Sequence, residues 1–333
     1  MTSRVPFLVH DLAHPVSDAY AGGVIAIGNF DGVHRGHQSV LDIAINKARE
    51  LNKPAFALSF EPHPRTLFKP ESPVFRLTPQ AMKAHVLDQF GLDGLLGLNF
   101  TKDLAATPAE EFVRKFIVDH ARAAHVITGF NFHFGKGREG SPAFLQERGQ
   151  KYGYGVTIAD GFEDESSEII SSSRIRRCLG AGDVTEAAGL LGYRWCVSGK
   201  VIKGAQLGRT LNYPTANIEL EPNCRLAHGI YAVRLRTQDG VLHNGVASYG
   251  RRPTFDNGRP LLETFIFDFD QDIYGQDIFV SLAGWIRGEE KFDSAEALVE
   301  QMDLDSEHAK AMLASLTPLS ELDQKLTFDG LRA

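Results

Sequence analysis

Val24-Ile25-Ala26-Ile27-Gly28-Asn29-Phe30-Asp31-Gly32-Val33-His34-Arg35-Gly36-His37 reads as a short buried strand that passes through a glycine-rich turn into a helix. The helical pattern continues from Gln38 to Leu51, and the alternation then repeats. Strand-like runs at Ala55–Phe60, Leu92–Leu98, His125–Gly129 and Val156–Asp160 are separated by helical patterns at Gln80–Phe90 and Pro108–Ala121. The last of these helices carries an apolar face at Phe112, Phe116 and Ile117. Strands alternating with helices predict an α/β unit built on a doubly wound, Rossmann-like parallel sheet.

Beyond Leu191 the texture changes. Trp195–Ile202, Gly229–Arg236, Leu242–Ser248, Leu262–Phe269 and Asp277–Ile286 follow one another without long helices, which predicts a compact antiparallel β-barrel of six strands. Ser294 is placed to cap a closing helix with Ala297, Leu298 and Met302 on one face. The expected organisation is a first domain at residues 1–182, a linker helix at 183–192 and a second domain at 193–333. A chain of 333 residues suits two cores better than one.

Composition narrows the function classes. The chain is 43% hydrophobic and 23% charged, so it should fold, and its net charge of −7 excludes a general binder of nucleic acid or anionic membrane. Phosphate recognition would have to be local. Cys178, Cys196 and Cys224 form no metal-ligand spacing and cannot all pair with one another, which predicts a reducing, cytoplasmic setting. The apolar run Val5–Val9 is too short for a signal peptide, and no stretch is long enough to span a bilayer.

The strand-to-helix turn is where open α/β sheets bind ligands, and a helix N-terminus offers free N–H groups to phosphate. Gly28 and Gly36 would let a nucleotide approach the backbone, with Phe30 and Asp31 beside it. His34 and His37, in an HxGH pattern, could both donate to an α-phosphate as charge builds. Neither GxxxxGK[ST] nor GxGxxG occurs, which leaves a nucleotidylyl-transfer site. Ile170-Ser171-Ser172-Ser173-Arg174-Ile175-Arg176 opens another helix. Its hydroxyls, its free N–H groups and the Arg176 guanidinium would cradle and neutralise a pyrophosphate leaving group.

A third cluster lies in the second half. Gly199, Gly204, Gly208 and Arg209 stand beside a strand as candidate phosphate contacts, followed by Tyr213-Pro214-Thr215-Ala216-Asn217. The Thr215 hydroxyl and the Asn217 carbonyl are hard oxygen ligands suited to Mg²⁺. In Leu262–Phe269 the alternation puts Glu263, Phe265 and Phe267 on one face, so a carboxylate stands in an apolar row.

From Val24 to about Leu316 these motifs, in this order, resemble the prokaryotic bifunctional riboflavin kinase/FAD synthetases. Two further loops support the resemblance: Ser59-Phe60-Glu61-Pro62-His63-Pro64, and Gly129-Phe130-Asn131-Phe132-His133-Phe134-Gly135. The resemblance implies that Pro62, Pro64, Asn131 and Phe134 contact the rings of FMN or adenine, and that Thr215 and Asn217 form a magnesium and phosphate site. It implies that Glu263 deprotonates the ribityl 5′-hydroxyl. It also implies riboflavin, FMN, FAD and ATP as ligands, with Mg²⁺ as the metal. Asn212 stands where the family usually has Gly, and Phe265 where it often has His. HxGH and ISSSRIR taken alone leave open a different phosphorylated acceptor, and the barrel could be a silent flavin-binding module.

Overall fold

The computed structural model describes residues 6–161, 168–204, 211, 213–251 and 260–329. Contacts within the chain divide it into two compact units, residues 1–171 and 172–333. In the first unit β1 (Leu8–Asp11) and β2 (Val24–Ile27) precede α1 (Arg35–Leu51). Then come β3 (Ala55–Glu61), α2 (Pro64–Phe68), α3 (Gln80–Phe90) and β4 (Gly94–Asn99). After α4 (Lys102–Ala106), α5 (Ala109–Phe112) widens into a π-helix at Val113–His120. β5 (His125–Gly129), α6 (Pro142–Tyr152) and β6 (Gly155–Ala159) complete the sheet.

The six strands are parallel in the order β1-β4-β3-β2-β5-β6. β2 is buried throughout, as a central parallel strand requires, because helices cover both faces. Ile25, Ile27, Phe56 and Leu58 meet Phe112, Phe116 and Ile117 in one apolar cluster. The stripe Leu41, Ala44, Ile45 and Ala48 of α1 stands outside that cluster and packs on the other face. The chain leaves β2 for β3 on one side, while β5 lies on the other, so the strand order reverses between β2 and β5. A ligand crevice forms at such a switch point, outside the carboxyl ends of the strands.

In the second unit α7 (Ser172–Gly180) packs against α8 (Val184–Leu191), the expected helix, capped by Asp183 through the Glu186 N–H at 2.9 Å. The strands are β7 (Cys196–Lys200), β8 (Thr215–Glu219), β9 (Gly229–Arg236), β10 (Leu242–Arg251), β11 (Pro260–Ile266) and β12 (Asp277–Gly288). They run antiparallel in the order β7-β12-β9-β10-β11-β8. The two ends of that row return to each other through an Ile202–Asn217 bridge, so the barrel nearly closes. Register shifts in β12 at Leu282/Gly284 and Trp285/Arg287 supply local bending.

Helix α9 (Ala295–Ala314) begins at Ser294, whose hydroxyl accepts from the Ala297 N–H as expected. Its buried face differs from the expected one. Ala297, Leu298 and Met302 are only half-buried, and Asp305, Ser306, Ala309 and Leu313 are the residues that go inside. Ala309 and Leu313 pack on Ala232 and Val246, and Asp305 accepts two hydrogen bonds from the Arg287 guanidinium. That ion pair lets a carboxylate occupy a position that hydrophobicity alone would assign to a leucine.

Candidate functional site

At the switch point the turn after β2 is held by a bent backbone. Phe30, Gly32 and Val33 all have positive φ, at 46°, 87° and 39°. For a β-branched valine this is costly, and such strain persists where surrounding contacts enforce it. The enforcing contacts come from the segment that leads into α3. Thr78 donates its N–H to Asp31 Oδ1 at 3.0 Å, and the Gly32 N–H donates to Thr78 Oγ1 at 2.8 Å. From α3 itself, Lys83 Nζ donates to the Asn29 carbonyl at 2.8 Å and to Ser59 Oγ at 2.9 Å.

His34 is the N-cap of α1, which therefore starts earlier than the sequence pattern alone indicates. The His37 N–H donates to His34 Nδ1 at 3.3 Å, so that nitrogen is an acceptor and the ring of neutral His34 carries its proton on Nε2. The two imidazoles stack with centroids 3.6 Å apart and planes 18° from parallel. The His37 basicity is pushed well below the ordinary histidine value, first by burial and then by His34 and Lys83. Its Nδ1 is buried with no hydrogen-bond partner, as are Asn29 Oδ1 at the end of β2 and Thr128 Oγ1 on β5.

Because folding depresses the His37 pKa, the unfolded chain binds a proton first, and the resulting stability is lost as pH falls below about 6.5. The melting temperature of the wild-type first unit, followed in the full chain, should fall below that pH. His37→Gln should show a smaller decline over the same window, and an identical pH dependence would contradict the account.

Gly36 lies under the His34 ring, where a Cβ would come within 3.3 Å, and the Ile170 carbonyl is 3.8 Å from the same point. The start of ISSSRIR is thus beside HxGH. Ser171 ends the first unit, while half-buried Ser172, exposed Ser173 and half-buried Arg176 belong to α7 of the second unit.

Several residues expected at ligands are engaged within the protein itself. Phe30 is buried edge-on to His37, and its ring leaves no room for a side chain at Gly28. The Asp31 carboxylate is engaged by Thr78 and does not face outward as a free phosphate-site group. Phe134 is in the core, its ring 5.1 Å from Phe112 and 6.1 Å from Phe144, so it is not the open ring contact expected of a glycine-rich loop. Asn131 and Pro62 are exposed and Pro64 half-buried. Phe130 and Phe68 are 54% and 66% exposed, so the open aromatic surface lies next to the expected residues.

In the second unit, β-pairing unites residues far apart in sequence. Glu263 of β11 lies opposite Asn217 of β8 on one side and Ser248 of β10 on the other. Thr215, two residues before Asn217, shares that face and donates to Asn217 Oδ1 at 3.1 Å. Phe265, opposite Thr215, packs on Tyr213 at 4.6 Å. The Tyr213 hydroxyl donates to Asp303 of α9, and burial followed by that contact pushes its pKa up to about 12. Glu263, Phe265 and Phe267 do share a face, but it is the half-buried one, and Leu262, Thr264 and Ile266 form the buried row.

Gly199 has a packing reason: a Cβ there would meet the Ile218 Cβ at 3.1 Å, where β7 closes on β8. Gly204 follows the Ile202 bridge, and Gly208, Arg209 and Asn212 lie outside the described residues, as do residues 252–259 of the second glycine-proline loop.

The family model for FAD synthetase matches residues 17–174, and that for riboflavin kinase matches residues 191–313. A bifunctional riboflavin kinase/FMN adenylyltransferase of Haemophilus influenzae is 38% identical over 302 residues, covering 91% of this chain and 98% of its own. The Escherichia coli K12 protein of the same description is 36% identical over 310 residues, covering 93% and 98%. The chain belongs to the bifunctional riboflavin kinase/FMN adenylyltransferases.

As a bifunctional riboflavin kinase/FMN adenylyltransferase, it uses ATP to convert riboflavin to FMN and FMN to FAD. A crystal structure described as a macrolide-efflux protein from Streptococcus pneumoniae matches 94% of this chain and 100% of its own, with TM-score 0.79 and 30% identity. Sequence reasoning missed Thr78 and Lys83 as the residues that hold the turn after β2. The available signal was Lys83 on the same helical stripe as Val86 and Leu87, a cation where a hydrophobic residue is expected.

Proposed function

We propose that FMN adenylylation takes place at the head of α1 and riboflavin phosphorylation on the β8–β11 row. The observation that carries this reading is the facing of Glu263 and Asn217 across β11 and β8, with the Thr215 hydroxyl on Asn217. A carboxylate and two hard oxygens then share one surface.

The chemistry of the acceptors explains why the sites differ. The ribityl 5′-hydroxyl, about as weak an acid as water at pKa ~15.7, needs a base when it attacks the γ-phosphorus of ATP. Glu263 takes that proton as the new P–O bond forms and the bond to the β,γ-bridging oxygen breaks, releasing ADP. FMN's phosphate, with a second pKa of about 6, is largely dianionic and attacks the α-phosphorus without a base. His34 and His37 donate to the α-phosphate oxygens, and Ser171, Ser172, Ser173 and Arg176 hold the departing pyrophosphate. Catalysis there is positioning and charge stabilisation. Pro62, Pro64 and Asn131 line the flavin, with Phe68 and Phe130 as open aromatic surface beside them.

Thr215 and Asn217 fit Mg²⁺ as neutral oxygen donors. Their oxygens lie 3.1 Å apart, close to the ~2.9 Å separating adjacent ligands of an octahedral ion at its usual bond length. Mg²⁺ bound there would neutralise phosphate charge. Among the described residues no cluster of three or more His, Cys, Asp or Glu could hold a metal, so ATP oxygens and water would complete the shell. Asn217→Ala should raise the Mg²⁺ concentration for half-maximal riboflavin phosphorylation by about tenfold or more. The Mg²⁺ dependence of FMN adenylylation should stay as in wild type, and an unmoved kinase requirement would remove Asn217 from the metal site. Cys178, Cys196 and Cys224 are in the thiol form, which supports the expected reducing, cytoplasmic location. No helix among the described residues is long and apolar enough to cross a membrane.

A further inference from the structure

Lys83 is 4% exposed, yet among the described residues its ammonium forms no ion pair. Its two hydrogen bonds go to the Asn29 carbonyl and to Ser59 Oγ, and Ser59 in turn donates to the same Asn29 carbonyl at 2.9 Å. The nearby carboxylates are occupied elsewhere: Asp31 accepts from Thr78, and Glu61 pairs with Arg76. A buried cation without a direct counter-ion is expensive to keep, and an uncharged side chain of similar length would fill the space at less cost. The charge sits below the strained turn of Phe30–Val33 and close enough to His37 to lower its basicity. Together with the dipole of α1, it makes the head of the helix electropositive.

We propose that Lys83 is a positioning residue for FMN adenylylation: its buried ammonium fixes the Asn29 carbonyl, and through it the turn that presents His34 and His37 to the triphosphate. It acts through the loop and does not touch substrate. The charge also keeps His37 a neutral donor, because a second cation in that space would be repelled by Lys83 and by the stacked His34. The groups facing this centre are His34, His37, Asp31, Glu61 and Arg76. The inference rests on the adenylylation site assigned above.

The test compares Lys83→Met and Lys83→Arg in the full chain, with riboflavin phosphorylation as the internal control. For Lys83→Met, kcat for FMN adenylylation should fall about 10- to 100-fold, the scale of a small misplacement of reacting groups. The His37 imidazole titration, followed by NMR, should move to higher pH, and FMN formation should be unchanged. Lys83→Arg, which keeps the charge, should keep the wild-type titration and recover part of the rate. A wild-type adenylylation rate in Lys83→Met would overturn the proposal, and so would an unmoved His37 titration.

If Lys83→Met unfolds the first unit, Ser59→Ala serves in its place, since it removes a shared partner without stranding a charge. Ser59→Ala should lower adenylylation several-fold at an unchanged melting temperature, and a wild-type rate would refute the claim. His34→Ala separates the two failures. If it too leaves FAD formation intact, the site itself is misplaced, whereas its loss of FAD formation beside an active Lys83→Met removes only the role of Lys83.

Discussion

His34→Ala is expected to stop the conversion of FMN to FAD while leaving the conversion of riboflavin to FMN at the wild-type rate. Two functions are lost together: the Nδ1 acceptor that orders the first turn of α1 through the His37 N–H, and the donor to the α-phosphate proposed above for the same ring. Removing one preorganised donor of this kind costs about 10² to 10³ in kcat. Losing the cap costs about 1 kcal/mol, too little to unfold a unit with this much buried core. The decrease should therefore appear in turnover at an almost unchanged melting temperature. Chromatographic separation of riboflavin, FMN and FAD gives both rates from one sample. A parallel loss of FMN formation would count against separable sites.

The second large effect runs the other way. Glu263→Ala should lower riboflavin phosphorylation by about 10² to 10⁴, the contribution of a positioned general base, and leave FMN adenylylation intact. Glu263 is half-buried on β11, so its truncation creates little cavity and the barrel should hold. Glu263→Gln keeps the shape and removes the base, and it should be nearly as inactive. A glutamine variant as active as wild type would assign the carboxylate to positioning only.

The sheet was legible in the sequence where strands are buried on both faces. β2 is an uninterrupted apolar run, β3 and β5 are mostly apolar, and β5 lies at its expected bounds while β3 runs one residue further. β1 was hidden because an edge strand with alternating exposure looks like any short amphipathic segment. β8 was hidden because its register comes from pairing with β11, which no local pattern records. α6 escaped notice although Ser141 followed by Pro142 is a capping signal, since its face carries few apolar residues.

The site divides in the same way. His34 and His37 were legible because spacing along a helix start fixes their relation, and Thr215 and Asn217 because alternation along a strand does. Phe30, Asp31 and Phe134 were expected at ligands, yet each is engaged within the fold: Phe30 against His37, Asp31 by Thr78, and Phe134 by Phe112 and Phe144. Lys83 left a trace in the sequence as a cation on the apolar stripe of α3, but its partners become visible only when α3 is folded beneath the turn.

The central claim is that two separate clusters in one chain carry the two transfers in succession. It is tested most directly by mixing purified His34→Ala and Glu263→Ala proteins with riboflavin, ATP and Mg²⁺ and following the flavins over time. Each protein alone should make no FAD from riboflavin, and the mixture should make FMN and then FAD. FMN that accumulates in the mixture without becoming FAD would contradict the assignment of the two chemistries to independent sites.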